Sequence, residues 1–146
     1  MSKEIVSLLK QLQADSVVFY MKAHNLHWNV YGMNFRQIHD ATEVIYEKFA
    51  DIFDNFAERI IQLGDKPLIK LQSCLDISKI RELDSKEFSA SEVLKILIDD
   101  FTYFRISINE LIELANSNGD NVTADYAGDI LAYLEKELWM LKVQMS

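Results

Sequence analysis

The sequence predicts an all-α protein, a four-helix bundle with one long crossover connection. Pro67 is the only proline and the 146 residues include just four glycines, so the breakers that punctuate sandwiches, barrels and disordered tracts are nearly absent. Apolar residues recur at spacings of three and four through four long stretches, the period of an amphipathic helix. Two of the three junctions between these stretches are tight, while the middle one runs for about 25 residues, longer than a helical hairpin requires.

The first helix is expected from about Lys3 to Val30, with Leu8, Leu12, Phe19, Ala23, Leu26 and Val30 on one stripe and a polar stripe beside it. Gly32 supplies the turn, and Asn34 is placed to cap the second helix. That helix runs to about Leu63 on a stripe of Ile45, Phe49, Ile52, Phe53, Phe56 and Ile60, and Gly64 with Pro67 stops it. Residues 64–88 form the connector, in which only Leu71 to Lys79 reads as a short helix. The next long helix begins near Ser89, where Ser89 and Glu92 have capping-box spacing. It continues through Leu94, Leu97, Phe101, Phe104, Ile108, Leu111 and Ala115 to a stop near Asn118-Gly119. The last starts at Asn121 or Thr123 and buries Ala127, Ile130, Leu134, Leu138, Leu141 and Met145. Short outer connections make each helix pair antiparallel, and the long middle one lets the two inner helices run parallel.

Length and composition fit a single domain over residues 1–146, with 49% hydrophobic residues for one continuous core. Cys74 is the sole cysteine, so no intramolecular disulfide is possible, and its place in the connector suggests packing rather than a reactive thiolate. With no segment of signal-peptide form, the expected setting is reducing and cytoplasmic. No apolar run approaches the roughly 20 residues needed to cross a bilayer. The net charge of -8 argues against unaided DNA binding, which needs clustered Lys and Arg, and makes cations the expected partners. Met1 to Lys10 reads as helix rather than a basic tail. The five methionines, Met140 and Met145 among them, read as gap-fillers of the core.

All three histidines, His24, His27 and His39, fall within 16 residues around the first turn. Taken singly, each is better explained as a packed or surface residue than as a ligand. The second helix then carries Glu43, Glu47, Asp51, Asp54 and Glu58 on one stripe opposite its apolar face. A solvated face would explain such a stripe, but no Lys or Arg balances it, and carboxylates stacked at this spacing repel one another. A bound hard cation removes that penalty, and carboxylate with imidazole suits iron. His39 and Asp54 stand 15 residues apart, about 22 Å along a continuous helix, and so cannot share an ion within one chain. Convergence of the histidines with Asp54 and Glu58 requires two chains, most simply across a two-fold axis. No histidine follows position 39, so the Glu-x-x-His pairs of an intra-bundle di-iron site are missing.

The run Lys22-Ala23-His24-Asn25-Leu26-His27-Trp28-Asn29-Val30-Tyr31-Gly32, followed by Phe35, His39, Asp54, Ala57-Glu58-Arg59, Gln62-Leu63-Gly64 and Trp139-Met140-Leu141, closely resembles the Dps family of bacterial mini-ferritins along essentially the whole chain. The likeness is to members without a basic N-terminal extension, which include neutrophil-activating proteins. It implies a ferritin-like four-helix bundle, a hollow dodecamer, and a ferroxidase centre at each two-fold interface. In such proteins His27 and His39 of one subunit, with Asp54 and Glu58 of its neighbour, bind Fe(II), and hydrogen peroxide oxidises it in preference to oxygen. Trp28 would lie near that centre, or serve only as an interface aromatic. Glu43, Glu47 and Asp51 become candidates for nucleating ferric mineral, or simply a solvated face. Asp120, Asp125 and Asp129 match acidic residues of iron-entry pores, against which stands their ordinary role near a helix N-terminus. Two other functions compete: a DNA-condensing shell protein, as some relatives are, and a non-enzymatic immunomodulatory helical bundle.

Overall fold

A computed structural model describes residues 2–146; Met1, in the segment read as helical, lies outside them. Five helices follow in order: α1 (Lys3–Asn29), α2 (Phe35–Gln62), α3 (Leu71–Ile77), α4 (Ala90–Ser117) and α5 (Asn121–Met145). The four long helices and the short one in the crossover match the expected architecture, with ends shifted by a residue or two. Local chemistry explains most of the ends. The Ser2 hydroxyl accepts from the Ile5 amide at 3.3 Å to open α1. Ser89 and Glu92 form the expected capping box, each side chain accepting from the other's backbone N–H. Asn34 departs from expectation: its side chain makes no cap bond, and only its carbonyl accepts from Ile38 at 3.1 Å. Gly32 turns the chain at φ 107°, a left-handed conformation that costs any residue with a Cβ.

Chain directions follow from what meets at each end. The starts of α1 and α5 and the stops of α2 and α4 line one cleft, where Ser2, Ile5, Arg59, Leu63, Gly119 and Asp120 come together. At the far end Val30, just past α1, forms an isolated parallel β-bridge with Phe88, just before α4. Helices α2 and α4 therefore run the same way, antiparallel to α1 and α5, and the crossover carries the chain back along the bundle. Phe19 of α1, Phe49 of α2, and Phe101 and Phe104 of α4 tie the two helix pairs, with ring centroids 4.5–5.8 Å apart.

The polar stripe of α1 is buried under the crossover. Gln13 exchanges two hydrogen bonds with the Leu68 backbone at 2.9 and 3.0 Å. Asp15, fully buried, accepts from the Lys79 amide at 2.7 Å, Ser78 Oγ at 3.1 Å and the Tyr103 hydroxyl. Lys22 pairs with Asp100 of α4 at 2.6 Å with both side chains largely shielded from water. These bonds supply the backbone partners that an irregular segment otherwise lacks. The methionine expectation is corrected: Met21, Met33, Met140 and Met145 are all exposed. Met21, Met140 and Met145 lie on helix faces and Met33 in the turn between α1 and α2, all uncovered within one chain.

Candidate metal centre

The turn after α1 brings His27, in the last turn of α1, against His39, in the first turns of α2. His27 is 5% exposed. Its Nδ1–H donates to the His39 carbonyl at 2.6 Å, with Thr42 Oγ1 at 3.2 Å as a second acceptor. His39 answers in kind, donating Nδ1–H to the His27 carbonyl at 2.8 Å. A carbonyl can only accept, so each Nδ1 carries a hydrogen, and in the neutral ring the lone pair is left on Nε2. The rings stack at 3.7 Å and 15°, and Phe35 lies against the outer face of His39 at 5.0 Å. Thr42, fully buried, donates to the carbonyls of Ile38 at 2.7 Å and His39 at 3.0 Å, which holds the acceptor of His27 in place. Each of these two imidazoles makes the kind of backbone hydrogen bond that orients a metal-ligating histidine.

Asp54 and Glu58 lie farther along α2, exposed and one turn apart. Among the described residues neither forms an ion pair, and no three His, Cys, Asp or Glu side chains of one chain gather as a metal site would need. Their charges act with that of Asp51 on Tyr126 of α5, whose hydroxyl is pushed up to about 12, chiefly by burial. Glu43 belongs with the histidines: its Oε1 stands 4.0 Å from His27 Nε2. Spacing on α2, one turn beyond His39, was the available signal. Glu47 and Asp51 stay on the exposed stripe. Lys48, the nearest cation in sequence, reaches instead over the Tyr133 ring of α5 at 5.1 Å, so the stripe carries unbalanced negative charge.

Asp120 takes the helix N-terminal role that was weighed against the pore reading. It caps α5, accepting from the Thr123 amide at 3.0 Å and hydroxyl at 2.6 Å, and pairs with Arg59 of α2 at 2.8 Å. Burial alone would raise its pKa, but Thr123 and Arg59 outweigh that and hold it below the ordinary carboxylate range. Its oxygens are committed within the chain, while Asp125 and Asp129 remain exposed. His24 is turned from the pair, with Nδ1 on the Tyr20 carbonyl at 2.7 Å and its ring flat on Tyr46 at 3.8 Å. Cys74 is buried, which raises its thiol pKa, as a packing role requires. Thr42 and Tyr46 were not singled out from sequence, because nothing in a linear pattern says which face of α2 meets His27.

The helix topology and the oriented histidine pair define a ferritin-like protein, and a family profile described as a ferritin-like domain matches residues 6–146. The chain belongs to that family, and within it to the Dps branch of bacterial mini-ferritins. It is 43% identical over 139 residues to the DNA protection during starvation protein of Helicobacter pylori, covering 95% of this chain and 96% of that one. The crystal structure of Helicobacter cinaedi CAIP superposes with a TM-score of 0.96 at 47% identity, covering 97% of this chain and 99% of that one. A Dps protein from Vibrio cholerae, described as a member of a broad superfamily of ferritin-like diiron-carboxylate proteins, superposes at 0.94 with 28% identity, over 99% of this chain and 90% of that one. No helix among the described residues is long and apolar enough to cross a membrane.

Proposed function

We propose that this protein is a ferroxidase and iron-storage mini-ferritin that assembles as a dodecameric cage. Fe(II) binds between two subunits, on His27 and His39 of one and Asp54 and Glu58 of its neighbour. Hydrogen peroxide accepts one electron from each of two ferrous ions and two protons, giving two waters, and the Fe(III) passes to the cavity as mineral. Removing both reagents in one step suppresses hydroxyl-radical formation and protects the cell. The reading rests above all on the reciprocal clamp of His27 and His39, which occupies both Nδ1 atoms and leaves the two Nε2 atoms as the ring nitrogens for a metal. Neutral imidazoles with carboxylates suit ferrous iron and its ferric product, and fixed tautomers mean that no reorganisation precedes binding. Glu43 beside His27 offers a further oxygen.

Co-assembly of two crippled chains provides the test. His27→Ala/His39→Ala and Asp54→Ala/Glu58→Ala chains are unfolded, mixed and reassembled, and ferrous oxidation by peroxide is followed without oxygen. Each alone should be inactive. In a random mixture about half the two-fold pairs are mixed, each with one intact centre, so about a quarter of wild-type activity should return. No recovery in cages shown to contain both chains rejects the shared centre.

A further inference from the structure

Each half of the proposed centre is incomplete within its own chain. His27 is 5% exposed, and its Nε2 makes no hydrogen bond among the described residues; Glu43 Oε1 stands 4.0 Å away, beyond bonding distance. Asp54 and Glu58 lie exposed farther along α2. We propose that the ferrous ion is also the joint between subunits: occupancy of the shared centre tightens the two-fold contact, and without a cation the acidic stripe of α2 keeps that contact weak. The inference rests on the shared-centre reading above and adds to it the control of assembly by the substrate.

A two-fold axis that sets His39 against the partner's Asp54 and Glu58 runs the two α2 helices antiparallel. Positions that meet across such a pair keep a constant sum. The same register therefore sets Glu47 beside the axis, against its own copy, and Asp51 opposite the partner's Glu43. All five acids of the stripe are exposed on the single chain. Lys48, the one cation between Glu43 and Glu58, lies over the Tyr133 ring of α5 instead. Like charges brought together in this way oppose association. The apolar groove between α1 and the crossover, lined by Val17, Met21, Leu71 and Leu75, reaches α2 at Phe53, the neighbour of Asp54, and supplies the attraction that the charge opposes.

An ion held by both chains binds the pair better than either chain alone, and the effect is reciprocal. At a free-ion level about 100 times the dissociation constant of the assembled site, each site strengthens association about 100-fold, and the two sites of a two-fold pair set an upper limit of about 10,000-fold. Binding to the histidine half alone lowers that limit, because only the preference for the assembled state counts. The backbone clamp of His27 and His39 is made within one chain. The ion is therefore not needed to order the hairpin, and its binding acts on the contact between chains.

The test uses full-length protein and Co(II), whose visible bands report histidine coordination without an oxidation step. Wild type, His27→Ala/His39→Ala, Asp54→Asn/Glu58→Gln and Glu47→Gln/Asp51→Asn are stripped of metal. Urea is set where metal-free wild type is half dissociated, so sedimentation reads a shift in either direction. Co(II) should lower the wild-type chain concentration at half-dissociation by at least about tenfold. The histidine variant should not respond, and neither should Asp54→Asn/Glu58→Gln, whose exposed positions keep the fold. Glu47→Gln/Asp51→Asn retains every proposed ligand; it should assemble at least about tenfold more tightly than wild type without metal and still respond to Co(II). Histidine-dependent bands in wild type without a shift overturn this inference, while peroxide-driven ferrous oxidation by the same preparation keeps the ferroxidase reading. A shift that survives loss of the histidines or of Asp54 and Glu58 means that the cation only screens charge, and overturns the inference too. So does a Glu47→Gln/Asp51→Asn variant no tighter than wild type. Absence of histidine-dependent bands overturns the ferroxidase reading and this one with it.

Discussion

At the scale of single residues, the site depends on groups that bind nothing themselves. Thr42 steadies the carbonyl that holds His27, and such orienting partners are worth about 10–100-fold in metal affinity. Thr42→Val should weaken anaerobic Fe(II) binding by about tenfold in titration calorimetry, with the cage intact. An unchanged affinity would show that the backbone clamp suffices. Lys22 and Asp100 make a sharper case. Burial raises the Asp100 pKa, with Lys22 only partly offsetting it. The sign follows: a carboxyl with raised folded pKa favours the folded state when protonated, and that gain is lost as pH climbs through the folded value. Lys22→Met leaves this charge uncompensated and should cost about 3–5 kcal/mol in denaturant unfolding near neutral pH. The deficit should shrink on acidification, and Lys22→Met/Asp100→Leu should recover most of it. His27, His39, Asp54 and Glu58 could be picked out as residues from spacing and resemblance. Thr42, Tyr46 and the place of Glu43 could not, because each depends on how α1 sits on α2.

At the scale of elements, α5 begins on a charged cap. Asp120 has a lowered folded pKa, so its stabilising contribution is present above the ordinary carboxylate range and is lost as pH falls through the folded value. Asp120→Ala should therefore lower stability by about 1–2 kcal/mol near neutral pH. That difference should be smaller at pH 3 in parallel thermal melts. Equal deficits at both pH values would mean the cap acts only by geometry. The crossover is likewise an element held from outside. Asp15→Ala removes the acceptor of the Lys79 amide and of the Ser78 and Tyr103 hydroxyls. Hydrogen exchange should accelerate across residues 78–80 while the interior of α2 stays protected. The helices themselves were legible because burial imposes a strict period on α2 and α4. The polar stripe of α1 was legible but its burial was not, since sequence does not show a distant segment folding over it.

At the scale of the whole molecule, charge and bare surface point in different directions. A net charge of -8 leaves few cations to neutralise phosphates, so the assembled protein should give no gel shift with duplex DNA at physiological salt. A tight, salt-sensitive shift would revive the DNA-condensing alternative. Trp28, Met33, Trp139 and Val143 remain exposed on the single chain, apolar area of the kind that association covers.

The sequence by itself determined the helices and the long crossover, and it supplied the residue types of the proposed centre, because helical period, breakers and ligand chemistry are local properties. Only the tertiary structure decided that His27 and His39 fix each other's tautomer, that Glu43 joins them, that Asp120 is committed to Arg59 and Thr123, and that the polar face of α1 holds the crossover. Those outcomes depend on which surfaces meet, and contact between residues distant in sequence is set by packing of the whole bundle rather than by any local pattern.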